Sequence, residues 1–287
     1  MSEACALIPV DTADQTERND VWWIEPLLIF LGFTAFGVYA TWAALQADFY
    51  QLHDLARFGA DGVRPYLSPF YSPDLPALFP QAMGWFRWSP AILIMPFPAI
   101  FRATCYYYRK AYYRSFFTSP AACAVKAQPS PLAGLLGRGK GAGGYKGESV
   151  FPLVMQNLHR FTFYIAALFV LILSIDAVWS LIGWQASGSS RPGAFHVGVG
   201  SLVMIINAVL LGLYTFSCHS WRHLLAGKLD CFSCSGWTKT RYDAWRKQSS
   251  LNDHHMLLAW ISLFWVAFTD LYIRLCAMGV WRDIVLF

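Results

Sequence analysis

Five stretches of this chain each run for about 20 apolar residues, at roughly 26–46, 90–113, 161–184, 197–217 and 255–278. That is the length a helix needs to cross the hydrocarbon of a bilayer. A backbone in lipid must satisfy its own hydrogen bonds, so runs of this length are helices there. The expected fold is therefore an all-α membrane protein with five transmembrane helices. Composition agrees: 14% of the 287 residues are charged and 56% are hydrophobic, whereas a soluble domain is nearer a quarter charged. So much apolar surface excludes a disordered chain. The 21 glycines have no three-residue period, and the 7 cysteines are scattered, which excludes collagen-like and disulfide-scaffold classes. The first run is too long for a signal-peptide core and follows an acidic leader (Glu3, Asp11, Asp14, Glu17, Asp20) rather than a basic one.

Charge alternates between the connections. Residues 106–159 carry seven Lys or Arg against one acid, and 218–254 carry six against three. Residues 47–89 carry three bases and four acids, and 185–195 only Arg191. The positive-inside rule makes the two basic loops cytoplasmic, with the amino terminus inside and the carboxy terminus outside. The net charge of +5 is then a topology signal and not a nucleic-acid footprint. Trp22, Trp23, Trp85, Trp88 and Trp184 fall at the expected interfaces. The resulting layout is a cytoplasmic leader over 1–25, two spans with an outer loop over 26–113, a cytoplasmic loop over 114–158 and a three-helix bundle over 159–287. Two phosphate-loop lookalikes, Gly134 to Lys140 and Gly139-x-Gly141-x-x-Gly144, lack the following Ser or Thr and the preceding strand respectively, and read as plain loop.

Ionisable groups at membrane depth are costly and invite a functional reading. Asp176 lies in the outer half of the third span, and Asp270 and Arg274 lie one turn apart in the fifth. A structural i,i+4 pair, with Asp176 as a candidate third member locking two helices, is favoured over a proton route. The inner ends carry more chemistry. Cys105 lies near the end of span two, His159 and Arg160 start span three, Cys218, His219 and His223 end span four, and His254 and His255 start span five. Taken singly, each has a bland reading as a small hydrophobe or a helix cap. Together they place sulfur and imidazole, the ligands that best suit iron and zinc, at one membrane depth. His219-x3-His223 followed by Cys231-x2-Cys234 has Cys2His2 zinc spacing in reversed order, and a zinc-stabilised membrane scaffold without a redox role is the alternative reading. A transporter is the third class, with no repeat or pair of interrupted spans to support it. Cys5 and Cys276 have no nearby partner and read as inert.

From about residue 150 the layout resembles the cytochrome b-type membrane anchors of succinate dehydrogenase and fumarate reductase. The matching motifs are Asn157-Leu-His159-Arg160 at the first anchor span and Arg222-His223-Leu-Leu225 at the end of the second. Thr104-Cys-Tyr-Tyr-Tyr-Arg-Lys-Ala-Tyr-Tyr-Arg114, Pro120-Ala-Ala-Cys-Ala-Val125, Tyr214-Thr-Phe-Ser-Cys-His-Ser-Trp-Arg-His223 and Leu251-Asn-Asp-His-His-Met256 resemble one bacterial branch of these anchors. That branch is a single five-span subunit with a membrane-embedded Rieske-type [2Fe–2S] cluster. The haem-binding anchors have a ligand histidine seven residues before the Arg-His histidine, where this chain has Phe216, so haem b is disfavoured.

The resemblance implies a multi-pass subunit of the bacterial cytoplasmic membrane, with the flavoprotein and iron–sulfur subunits of complex II docked on its cytoplasmic face. Electrons from succinate would pass through the soluble clusters to this subunit and on to a quinone. A Rieske centre needs two Cys and two His. Cys105 and Cys218 are the first candidates for the thiolates, with Cys123 next. The imidazoles remain open among His219, His223, His255 and His159. Asn157, His159 and Arg160 are the candidates for bonding a quinone carbonyl.

Overall fold

The computed structural model describes Val21 and residues 23–52, 66–116, 157–182, 195, 197–227, 229–284 and 286. Cys5, Cys123, Trp22, Trp184, most of the 114–158 loop and both phosphate-loop lookalikes lie outside the described residues. In chain order the elements are α1 (Ile24–Leu45), β1 (Gln51–Leu52), β2 (Tyr66–Leu67), α2 (Leu75–Leu78), α3 (Pro80–Met83), α4 (Ala91–Ile94), α5 (Pro96–Thr104), α6 (Tyr106–Phe116), α7 (His159–Ile182), α8 (Val199–Phe216), α9 (His219–Ala226), α10 (Gly236–Asp253) and α11 (His255–Ala277). Helices α1, α7, α8 and α11 are long and apolar enough to cross a membrane. The expected second span is divided among α4, α5 and α6, with breaks at Met95 and Cys105. Pro96 and Pro98 supply one physical reason: neither has an N–H to return to the carbonyl four residues back, at Ile92 and Ile94.

The chain groups into two compact units, 1–35 with 104–157, and 36–103 with 158–287. In the first, the amino-terminal part of α1 meets α6 through aromatic rings. Phe30 lies 4.8 Å from Phe116 and Phe33 lies 5.5 Å from Tyr108.

In the second unit α8 packs between α7 and α11. The buried face of α8 is Gly200, Val203, Met204, Asn207 and Ala208, a helical stripe in which small residues let backbones approach. Its opposite stripe, Leu202, Ile206, Val209 and Leu213, is exposed. Helix α7 exposes Phe161, Tyr164, Leu168, Leu171, Ile175 and Val178, at alternating spacings of three and four. These are the faces that lipid covers.

The end of this unit holding the carboxyl ends of α7 and α11 is tied by buried polar groups. Arg274 Nε donates to Asp270 Oδ2 at 2.7 Å, with the side chains 1% and 0% exposed. Tyr39 of α1 donates to the same carboxylate at 2.6 Å, and Ser68 bonds its other oxygen. Arg274 also donates to the Ala43 and Asp48 carbonyls at 2.9 and 3.1 Å. Asp176 takes its hydrogen bond from Ser72, so it does not act as the third member of the Asp270–Arg274 pair. The pair locks α11 to α1 and to the loop after β2. Nearby, buried Asp283 accepts from Tyr66 and Tyr272, each at 2.6 Å, and from the Gly200 N–H at 2.9 Å.

Candidate electron-transfer site

The opposite end of the same unit is organised around the turn between α8 and α9. Helix α8 closes at Ser217, and Cys218 opens α9 as its N-cap, its sulfur accepting the Ser220 N–H at 3.4 Å. Two side chains of α10 hold this turn. Gln248 donates to the carbonyls of Phe216 and Cys218 at 3.3 and 3.2 Å, and Asn252 to that of Ser217 at 2.7 Å. The Phe216 and Ser217 carbonyls belong to a helix end, which leaves them without intrahelical donors, and that of Cys218 also accepts the Arg222 N–H at 3.2 Å. Cys218 is thereby fixed with its side chain buried.

His159, the first residue of α7, brings Nε2 to 3.0 Å from Cys218 Sγ. Its ring stacks on Phe101 of α5 at 4.7 Å, with 11° between planes, and it also hydrogen-bonds the Phe101 backbone. His255, the first residue of α11, is buried, bonds Ser217 Oγ through Nδ1 at 2.6 Å and stacks on Tyr214 at 5.1 Å. His219, the first residue of α9, and His223, one turn on, face each other with their Nε2 atoms 3.0 Å apart. The i,i+4 spacing on one helix face produces this pair. Partial burial, and after it the neighbouring His223 and Arg222, hold the His219 imidazole below its ordinary pKa.

Of the residues singled out in the sequence, Cys218, His159 and His255 thus gather at the α8–α9 turn, and His219 and His223 pair beside it. Cys105 is buried at the break between α5 and α6, within the first unit. Asn157 and Arg160 are exposed, and the Arg160 guanidinium lies 4.8 Å over the Phe161 ring. His254 bonds the Ser250 carbonyl at 3.2 Å and is exposed. Cys231 and Cys234 are joined to each other as a disulfide, so neither offers a thiolate and the zinc reading loses half its ligands. The sequence reading missed Phe101, Arg102, Tyr214, Ser217 and Gln248. Phe101 and Arg102 lie within the second apolar run, and nothing in their local spacing marks them.

The donors fit some metal groups and not others. Among the described residues no three His, Cys, Asp or Glu side chains converge as on one metal ion, which does not suit a closed tetrahedral zinc. They meet instead in pairs, one sulfur with one imidazole and one imidazole with another. A Rieske-type cluster asks for two imidazoles on one iron and two thiolates on the other; the His219 and His223 nitrogens, 3.0 Å apart, can both reach a metal at about 2.1 Å, whereas Cys218 faces His159 and not a second sulfur.

Beside this turn lies a cavity of about 120 Å³ within the second unit. Its wall includes Phe101 and Tyr214, the rings that stack on His159 and His255.

Helices with lipid-facing apolar stripes and sulfur and imidazole donors gathered at one end define a multi-span membrane subunit with a candidate ligand site. The family model for the actinobacterial succinate dehydrogenase subunit SdhC matches residues 24–279, and the chain belongs to that family. It is a multi-pass membrane subunit of succinate dehydrogenase, with succinate oxidation on a partner subunit. A chain of the Mycobacterium smegmatis Sdh1 complex in the apo form is similar at 40% identity and a TM-score of 0.73, over 95% of this chain and 94% of that one. No curated protein matches.

Proposed function

We propose that this subunit carries electrons from the iron–sulfur subunit to a membrane quinone through a Rieske-type [2Fe–2S] cluster at the α8–α9 turn. The observation that carries the reading is the His219–His223 pair, with Nε2 atoms 3.0 Å apart, beside the buried Cys218. Cys218 supplies one thiolate, with Cys105 first and Cys123 second as candidates for the other. His219 and His223 supply the imidazoles, and His255, held by Ser217, is the reserve. The cluster supplies one-electron transfer when bound. Overall, succinate loses two electrons and two protons to become fumarate, and the quinone gains two of each to become quinol.

The chain's own residues set the conditions for this. Gln248 and Asn252 fix the turn that carries Cys218, and Phe101 keeps the His159 ring flat against an apolar wall. Asn157, His159 and Arg160 are offered for a quinone carbonyl, and His159 is the one of them tied into the turn. The flavoprotein and iron–sulfur subunits are the partners on the cytoplasmic side, where exposed Lys239, Arg246 and Lys247 of α10 support a cytoplasmic connection between α8 and α11; the amino terminus inside, five crossings and the carboxy terminus outside are part of the same proposal.

Iron and acid-labile sulfide measured on the purified complex test the reading. Cys218→Ser and His223→Leu are expected to lose the iron and sulfide of one [2Fe–2S] cluster and its electron paramagnetic resonance signal, and with them quinone reduction. Unchanged iron and sulfide with surviving quinone reduction in both variants would overturn the ligand assignment.

A further inference from the structure

Helix α9 carries the His219–His223 pair and has only eight residues. A helix that short is marginal by itself, and its ends leave four N–H and four C=O groups to outside partners. Here each of the last four carbonyls has a donor. The Gly227 N–H donates to His223 at 2.7 Å and the Leu229 N–H to Ala226 at 3.3 Å. The two carbonyls between them accept from one side chain of α10. Arg241 donates through Nε to Leu225 at 2.6 Å and through Nη2 to Leu224 at 3.4 Å. Its Nη2 also reaches the Gly227 carbonyl at 3.4 Å. The planar guanidinium fork lets one side chain bond several carbonyls, and a cation suits the carboxyl end of a helix.

The rest of α10 extends the same contact. Arg241, Trp245, Gln248 and Asn252 follow one another at spacings of four, three and four, a single helical stripe, and they meet α9 in reverse order. Arg241 holds its carboxyl end, the Arg222 guanidinium lies 4.8 Å over the Trp245 ring, and Gln248 and Asn252 hold the turn at its amino end. Helix α10 is thus an antiparallel splint along α9, while His219 and His223 stay exposed. Gly227 shows how tightly the last turn is closed. A Cβ there would stand 2.3 Å from the His223 backbone oxygen.

We propose that Arg241, acting with Gly227, is a positioning residue for the imidazole pair. From α10 it fixes the last turn of α9, and with it the aim of the His223 ring toward His219. The inference rests on the assignment of this pair to the cluster above. His223 belongs to the last turn, so opening that turn changes the spacing of an i,i+4 pair. A cap that only added stability would change the yield of folded complex and leave the surroundings of the metal as they are.

The assembled complex tests this through the electron paramagnetic resonance signal that Cys218→Ser removes. Arg241→Met and Gly227→Ala are expected to shift the g values and midpoint potential of that signal. They are also expected to lower quinone reduction about 10–100-fold, normalised to succinate oxidation by the same preparation with a soluble acceptor. Arg241→Lys keeps the charge and loses the fork, and is expected to fall between Arg241→Met and wild type. Loss of the signal in Arg241→Met with partial retention in Arg241→Lys is the same result in a stronger form. Thr240→Ala, which removes a hydroxyl bonded to the Gly236 carbonyl inside α10 at 3.0 Å, is expected to keep the wild-type spectrum. A wild-type spectrum and potential in both Arg241→Met and Gly227→Ala, or equal changes in Thr240→Ala, would overturn the proposal. If neither Cys218→Ser nor His223→Leu removes a signal, the cluster assignment itself fails.

Discussion

At the scale of single residues, the two ends of the second unit treat polarity differently. At one end the buried carboxylates of the described residues are hydrogen-bonded. Asp270 accepts from Arg274, Tyr39 and Ser68, and Asp283 from two tyrosines and a backbone N–H. At the other end the donors are thiol and imidazole, which hydrogen-bond one another and are equally suited to a metal. The i,i+4 spacing made the Asp270–Arg274 pair legible in the sequence. Its ties to Tyr39 and Ala43, more than 200 residues away, were not, because no local pattern encodes a contact across helices. Removing one partner leaves the other charged and buried. Arg274→Met and Asp270→Leu are each expected to cost about 3–5 kcal/mol, read as lost thermal stability of the complex in detergent, and the two together less than the two costs added. Additive losses would show that the two side chains do not act as a pair.

Elements were the most legible scale where they are long and uninterrupted. Helices α1, α7, α8 and α11 lie where runs of about 20 apolar residues predict them. The second run was read as one crossing from its hydropathy, although Pro96 and Pro98 stand within it. Hydropathy counts side chains, whereas the break depends on missing backbone donors. Which face of each helix points inward was not legible, since in lipid both faces are apolar and the contrast that marks a soluble amphipathic helix is absent. Packing decided it through small residues, and Gly200 of α8 shows how closely. A Cβ there would stand 2.5–2.9 Å from the buried Tyr66 ring. Gly200→Val is expected to cost about 1–3 kcal/mol through overpacking and to disturb the Tyr66–Asp283 hydrogen bond. Tyr66→Ala, by opening the space, is expected to relieve part of that loss when combined with it. No difference in melting temperature between wild type and Gly200→Val would contradict the close approach.

For the whole molecule, orientation comes from charge and can be checked from outside the cell. Cysteines introduced at exposed Gln81 of α3 and exposed Lys239 of α10 are expected to differ: a membrane-impermeant maleimide labels Gln81→Cys on intact spheroplasts and reaches Lys239→Cys only after lysis. The reverse pattern would invert the proposed topology. By itself the sequence determined the class of molecule, the number and place of its apolar runs and which ends of those runs carry its sulfur and imidazole residues. Each of these depends on composition along the chain, which local patterns carry. Only the tertiary structure decided which donors meet, that Asp176 pairs with Ser72 and Cys231 with Cys234, and that Phe101, Arg102 and Tyr214 wall a cavity beside the histidines. Those outcomes depend on how α5, α7, α8 and α11 are rotated and set against one another, and helices that are apolar all round carry no periodic signal of that rotation.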